Sequence, residues 1–119
     1  MEELLRKYKD CDEMTFTNAH GPNQKLNVLF ETSDIMVGYS ELDIGEELKE
    51  GKHNFIETIF RLEGTTKHII EGKEFIVEEG MVLKVPQFNT HSCKVEGNKK
   101  VRQLVLVAKN QFYGNFFEN

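Results

Sequence analysis

The chain of 119 residues has no apolar run that could cross a bilayer; its longest, such as 105–108, fall far short of one. Its first ten residues are mostly charged where a secretory leader carries an apolar block, so the expectation is a cytoplasmic protein with no membrane partner. Basic residues are not in excess. Fifteen Lys and Arg against 20 Asp and Glu leave a net charge of −5, which offers no attraction to a phosphate backbone and argues against nucleic acid as a partner. Cysteine is scarce: Cys11 and Cys93 can make one bridge at most, and no disulfide framework is implied. A glycine-rich phosphate loop, a paired-cysteine zinc motif, a nucleophile elbow and internal repeats are all missing. What is present is a composition near globular averages, 39% hydrophobic and 29% charged, on a chain long enough for one hydrophobic core and too short for two.

Glycines punctuate the chain at 38, 45, 51, 64, 72, 80 and 97, with short runs of Val, Ile, Phe and Leu between them. That spacing predicts strands at 26–31, 35–43, 54–62, 66–70, 74–77, 81–85, 91–95 and 101–108. Glu71 and Gly72 stand between two of them at the length of a two-residue hairpin loop. Gly64, Gly72 and Gly80 recur every eight residues, too short a period for strand–helix–strand units and suited to an antiparallel meander. Many short antiparallel strands in one small domain must stack or close to bury a face, so the fold class is all-β, a small antiparallel barrel. Upstream, Leu4, Leu5 and Tyr8 lie among charges as a short amphipathic helix or mobile arm, and Gly21, Pro22 and Asn23 read as a turn closing that arm. The organisation is an N-terminal arm over 1–23 and a body over 24–119 whose last residues, with Phe112, Tyr113, Phe116 and Phe117, form an aromatic tail plugging an opening or meeting a second copy.

Chemistry falls to the four histidines, 20, 53, 68 and 91. Glu57 follows His53 at i+4, a separation that puts both side chains on one face of a helix or of a strand. From Gly45 the order is five residues, Gly51, one residue, His53, three residues, Glu57, six residues, Gly64; from Gly80 it is five residues, Pro86, one residue, Phe88, two residues, His91. These two blocks resemble the paired signature motifs of the cupin superfamily. Against the family pattern, Gly51 stands where the first histidine belongs, Phe88 where a loop glycine belongs, and Val95 where the final asparagine belongs. The resemblance implies a double-stranded β-helix jelly roll with His53, Glu57 and His91 as metal ligands inside it, and a divalent ion such as Fe, Mn, Zn or Ni as cofactor. Two imidazoles and a carboxylate suffice to bind such an ion and leave positions open for water or substrate. The alternative is a cupin that has given up metal, with both histidines held only by hydrogen bonds.

Counting by twos from His53 and Glu57 reaches Ile59 and Arg61, so a guanidinium enters the same interior, where it would bind a substrate carboxylate or phosphate, or else it snorkels to solvent at the nearby turn. Tyr39, Glu41 and Asp43 alternate on the preceding strand, and Tyr39 is a second candidate for substrate contact unless that face is solvated. Cys93 shares a face with His91, as a ligand or as a small buried hydrophobe. His68 is a stand-in for the missing ligand or a structural residue, and His20 belongs to the loop before the body, over the mouth. Ile56, Phe60 and Leu62 point away from the interior and make a homodimer the expected assembly. The functional expectation is a metal-dependent enzyme acting on a small polar or anionic metabolite, with Glu57 as catalytic group; the alternative is a non-catalytic binding or sensor module.

Overall fold

The computed structural model describes residues 4–18, 20–53 and 55–108, and the aromatic tail lies outside these. Among the described residues ten strands run in chain order: β1 Glu13–Asn18, β2 Gly21–Glu31, β3 Ile35–Leu42, β4 Glu47–Gly51, β5 Glu57–Glu63, β6 Thr65–Ile70, β7 Lys73–Val77, β8 Val82–Val85, β9 His91–Glu96 and β10 Val101–Ala108. They form two antiparallel sheets, one ordered β1-β2-β3-β10-β5-β8 and the other β4-β9-β6-β7. Seven of the eight strands read from sequence lie within a few residues of their expected places. The eighth, β2, begins earlier, because residues 21–23 are not a turn but its opening. Pro22 is tolerated there because β1 and β2 shift register between Phe16 and Asn18, where a missing N–H costs no ladder bond. The six-stranded sheet therefore extends back to Glu13, into the segment expected to be an arm.

Of the two alternatives for the segment before Gly21, an amphipathic helix or a mobile arm, no α-helix forms among the described residues. A single 3-10 turn, Tyr8–Asp10, precedes β1, and Leu4 and Leu5 are exposed. The segment is held instead through Tyr8, whose ring lies 4.4 Å from that of Tyr39, and through Asn27 Nδ2, which donates to the Cys11 carbonyl at 3.3 Å.

Strand alternation sends one row of each strand into the space between the sheets. Ile59, Ile70, Val77, Leu83 and Val85 fill one part of it, Leu42, Cys93, Val95 and Val101 another, and Leu26, Met36, Phe55, Val105 and Val107 a third. Each fully buried aliphatic side chain contributes roughly 1.5–3 kcal/mol through loss of apolar surface to water. The β6–β7 connection is the two-residue hairpin expected. Ile70 pairs with Lys73, and Glu71 and Gly72 both have positive φ, 48° and 79°, as a type I′ turn requires. At the opposite end Gly64 (φ 87°) admits no side chain, since a Cβ there would stand 2.8 Å from the Lys100 carbonyl oxygen. The outward row of β5 leaves Phe60 exposed and Ile56 and Leu62 half-buried. Among the described residues no helix is long and apolar enough to cross a membrane.

Candidate metal centre

Between the sheets lies a cavity of about 260 Å³ lined by His20, His53, His68, His91 and Glu57 together with apolar side chains of both sheets. The histidines reach it from separate parts of the chain. His91 opens β9, and its inward alternation is shared with Cys93 and Val95. His53 sits in the connection between β4 and β5, fixed by Phe88, whose amide donates to the His53 carbonyl at 2.8 Å. Phe88 does this from φ 64°, the left-handed conformation for which the family motif carries glycine, so the loop geometry is kept with a different residue. The 86–90 loop is secured from its other side by Glu71, whose amide donates to the Thr90 carbonyl and whose carboxylate accepts from the Thr90 amide at 2.7 Å.

His20 occupies the tip between β1 and β2, just before Gly21. Two hydrogen bonds hold it to one residue of β4: the Lys49 amide donates to the His20 carbonyl at 2.9 Å, and His20 Nδ1 donates to the Lys49 carbonyl at 2.6 Å. Its ring centroid lies 4.4 Å from that of His91, and His53 lies 4.8 Å from His91. One ring nitrogen from each of His20, His53 and His91 falls within 4.8 Å of the others, and all three residues are buried.

The protonation of the three rings follows from their partners. Nδ1 of His53 meets the Phe55 carbonyl at 3.0 Å, Nδ1 of His91 meets the Asn89 carbonyl at 3.3 Å, and Nδ1 of His20 meets that of Lys49. A carbonyl can only accept, so in each neutral ring the proton is on Nδ1 and the lone pair on Nε2. That is the tautomer of a metal-ligating imidazole, with a main-chain carbonyl as the orienting partner. Among the described residues, buried Nε2 of His53 has no hydrogen-bond partner, and its nearest acidic neighbour is Glu57 Oε1 at 3.8 Å. A divalent transition metal fits this donor set: three imidazoles whose nitrogens lie within 4.8 Å of one another and a carboxylate 3.8 Å from His53.

Burial, with the neighbouring His20 ring, brings His91 down to about 4, against the opposing pull of Glu57, so it is neutral and available as a donor at physiological pH. Burial pushes the Glu57 carboxyl up, but the adjoining His53 and the more distant His91 and His20 outweigh it, and the net shift is downward. Glu57 is therefore a carboxylate at neutral pH. Burial likewise drives Cys93 up to about 12, leaving a neutral thiol packed with Leu42, Val95 and Val101, as expected of a small buried hydrophobe.

His68 is not in the trio. Its Nδ1 lies 3.1 Å from Thr66 Oγ1, which accepts from Arg61 Nη2 at 2.7 Å; the Thr66 hydroxyl proton is thus free to point at His68. Burial first, and then the Arg61 charge, lower His68 to about 4.

Neither Arg61 nor Tyr39, the two candidates for substrate contact, is among the residues lining the cavity. Arg61 does point between the sheets, as its strand parity implied, but it lies past the cavity and does not line it. Fully buried, it donates to the carbonyls of Gly64 and Val77, to Thr66 and to Gln103 Oε1, four neutral acceptors that tie β5 to β6, β7 and β10. Tyr39 lies on the outer face, since the inward row of β3 is Met36, Gly38, Ser40 and Leu42. Its hydroxyl donates to Glu41 at 2.7 Å and accepts from Arg102 Nε at 2.7 Å. The sequence reading also passed over His20 as a ligand; its only signal was an unassigned histidine in a chain whose motif lacked one.

Residues 38–107 match the Cupin domain family. A comparison with curated proteins returns no match. Among solved structures, the chain is similar to the Schizosaccharomyces pombe Cnp3 cupin domain, with 24% identity over 71% of this chain and a TM-score of 0.67, and it spans 59% of that chain. It is similar to a predicted oxalate decarboxylase from Thermotoga maritima, with 17% identity, a TM-score of 0.74, and 88% of this chain and 98% of the other covered. The polyketide cyclase RemF from Streptomyces resistomycificus gives a TM-score of 0.76 at 15% identity, over 92% of this chain and 80% of that one. At these identities the structures share a fold, and the matched family, the two sheets and the histidine-lined interior agree on one assignment: the chain belongs to the cupin family.

Proposed function

We propose that the protein is a metal-dependent cupin enzyme acting on a small polar metabolite. The observation that carries this reading is the cluster of three buried rings, each with Nδ1 at a main-chain carbonyl and with one nitrogen of each within 4.8 Å of the others. His53 and His91 would hold a divalent transition metal, Fe, Mn, Zn or Ni, with Glu57 beside it. Such an ion supplies Lewis acidity toward a substrate oxygen. Glu57, ionised at neutral pH and 3.8 Å from His53, is placed to accept a proton from a substrate lying in the cavity. About 260 Å³ admits a ligand of roughly ten non-hydrogen atoms, taking about 30 Å³ as the share of one water. With Arg61 committed elsewhere, Lys25 is the one Lys or Arg among the described lining residues, beside Glu41, Asp43, Glu46 and Glu57. Of the polar or anionic ligands expected, that balance favours a neutral polar one.

The test is metal analysis of protein purified without chelator: close to one transition metal per chain is expected, and His91→Ala is expected to lose it. Protein that stays empty after incubation with Fe²⁺, Mn²⁺, Zn²⁺ and Ni²⁺ would reject the reading and leave a metal-free binding module. The same proposal retains pairing of two copies through the outer row of β5, β8 and β10, where Phe60, Val82 and Leu106 are exposed on neighbouring strands. Sedimentation should give a dimer that Phe60→Lys dissociates; a monomeric wild type would remove that part.

A further inference from the structure

The family motif places a histidine where this chain has Gly51, which pairs with His91 across β4 and β9 and has no side chain to offer. Two residues earlier on the same strand, Lys49 grips His20 by both its carbonyl and its ring. We infer that His20 supplies the ligand missing at position 51, so that a bound transition metal fastens the tip of the β1–β2 hairpin to the four-stranded sheet. The inference rests on the metal-binding reading above and adds to it a coupling between metal and hairpin.

The topology gives the coupling its content. β1 and β2 belong to the six-stranded sheet, whereas His91 begins β9 of the other sheet and His53 lies in the connection between the two. An ion held by all three would give a common centre to segments that main-chain bonds already bring together, His20 to Lys49 of β4 and Gly51 of β4 to His91. The β1–β2 ladder shifts register between Phe16 and Asn18 and closes with Asn18 opposite Gly21, and the contacts with Lys49 fasten His20 to β4. Phe16, Gln24 and Lys25, on the two strands flanking His20, line the cavity. Fastening the tip therefore also fixes one wall of the cavity, and access to it depends on whether metal is bound. The coupling is reciprocal: whatever holds the hairpin down raises metal affinity, and metal holds the hairpin down.

Zn²⁺ serves as the probe, because imidazole nitrogens bind it tightly whatever metal the protein uses natively. Wild type is expected to bind one Zn²⁺ per chain and, on binding, to slow amide hydrogen exchange in β1 and the first half of β2. His20→Ala should weaken Zn²⁺ by more than the roughly 10–100-fold typical of losing a partner that only orients a ligand. Adding Gly51→His to that variant should restore binding while leaving hairpin exchange unchanged by Zn²⁺. The inference is overturned if wild type binds Zn²⁺ and His20→Ala binds it equally, or if Zn²⁺ leaves hairpin exchange in wild type unaltered. A wild type that binds no Zn²⁺ overturns the metal-binding reading itself. Should His20→Ala fail to fold by circular dichroism, the wild-type exchange experiment decides alone: slowing upholds the inference and no change overturns it.

Discussion

Removing His68 should flatten the acid limb of the stability curve. His68 is buried at the centre of the sandwich, and burial with the nearby Arg61 charge holds it at about 4 when folded, against 6.5 when unfolded. Between those values the unfolded chain binds a proton that the folded chain refuses. Stability is then fully present above about pH 6.5 and falls as pH drops toward 4, at up to about 1.4 kcal/mol per pH unit for this one group. Integrated from pH 7.5 to pH 5, the loss is about 2 kcal/mol, and over the whole interval about 3 kcal/mol. His68→Leu carries no titrating group, so its stability should decline by about 2 kcal/mol less than wild type over the same range. Urea unfolding of chelator-treated protein at several pH values reads this directly, because other titrating groups contribute equally to both chains and cancel. Parallel curves for the two proteins would refute the argument and mean that His68 charges within the folded state. Glu57 does not confuse the window: its folded value is depressed below the ordinary carboxylate range, so the stability it contributes is lost only at lower pH.

Arg61→Met should cost stability, about 2–4 kcal/mol by urea unfolding, because it strips donors from four buried acceptors at about 1–3 kcal/mol each while relieving a buried charge; unchanged stability would contradict a structural role. Gly64→Ala should destabilise by about 3 kcal/mol, the sum of a left-handed backbone forced on alanine and a Cβ pressed against the Lys100 carbonyl and Val101 Cα. A loss below about 1 kcal/mol would show that the β5–β6 turn relaxes freely. Cys93, a neutral thiol buried in the core and brought to about 12, should resist iodoacetamide in folded protein at mild alkaline pH and react on unfolding. Rapid native labelling at that residue would contradict its burial.

The sequence made most of the sandwich legible because its strands alternate and its turns carry glycine. β6, β7, β9 and β10 each bury one row and expose the other, the period on which strand reading depends. β4 was hidden for the converse reason: Glu47–Gly51 is polar, and Leu48 alone packs on the core. β1 has a weak alternation, Met14 and Phe16 between threonines, whose pairing with β2 only the fold reveals. Within the site, parity placed His53, Glu57, Ile59 and Arg61 on one face, and His91 with Cys93. It does not say how deep each lies, and so leaves Arg61 open between a substrate contact and a snorkelling side chain, whereas the side chain sits past the cavity on four buried acceptors. Tyr39 falls on the row of β3 opposite to Met36 and Leu42, which pack in the core. His20 had no local signature: 33 positions separate it from His53, and the contact that brings it in is a main-chain bond to Lys49.

The most direct measurement is the anomalous diffraction of a crystal soaked in Zn²⁺ and recorded at the zinc edge. The account predicts one strong peak within bonding distance of Nε2 of His53 and of His91, with His20 Nε2 turned toward the same ion. A peak seated elsewhere on the protein, or those imidazoles swung away from a common centre, would contradict it.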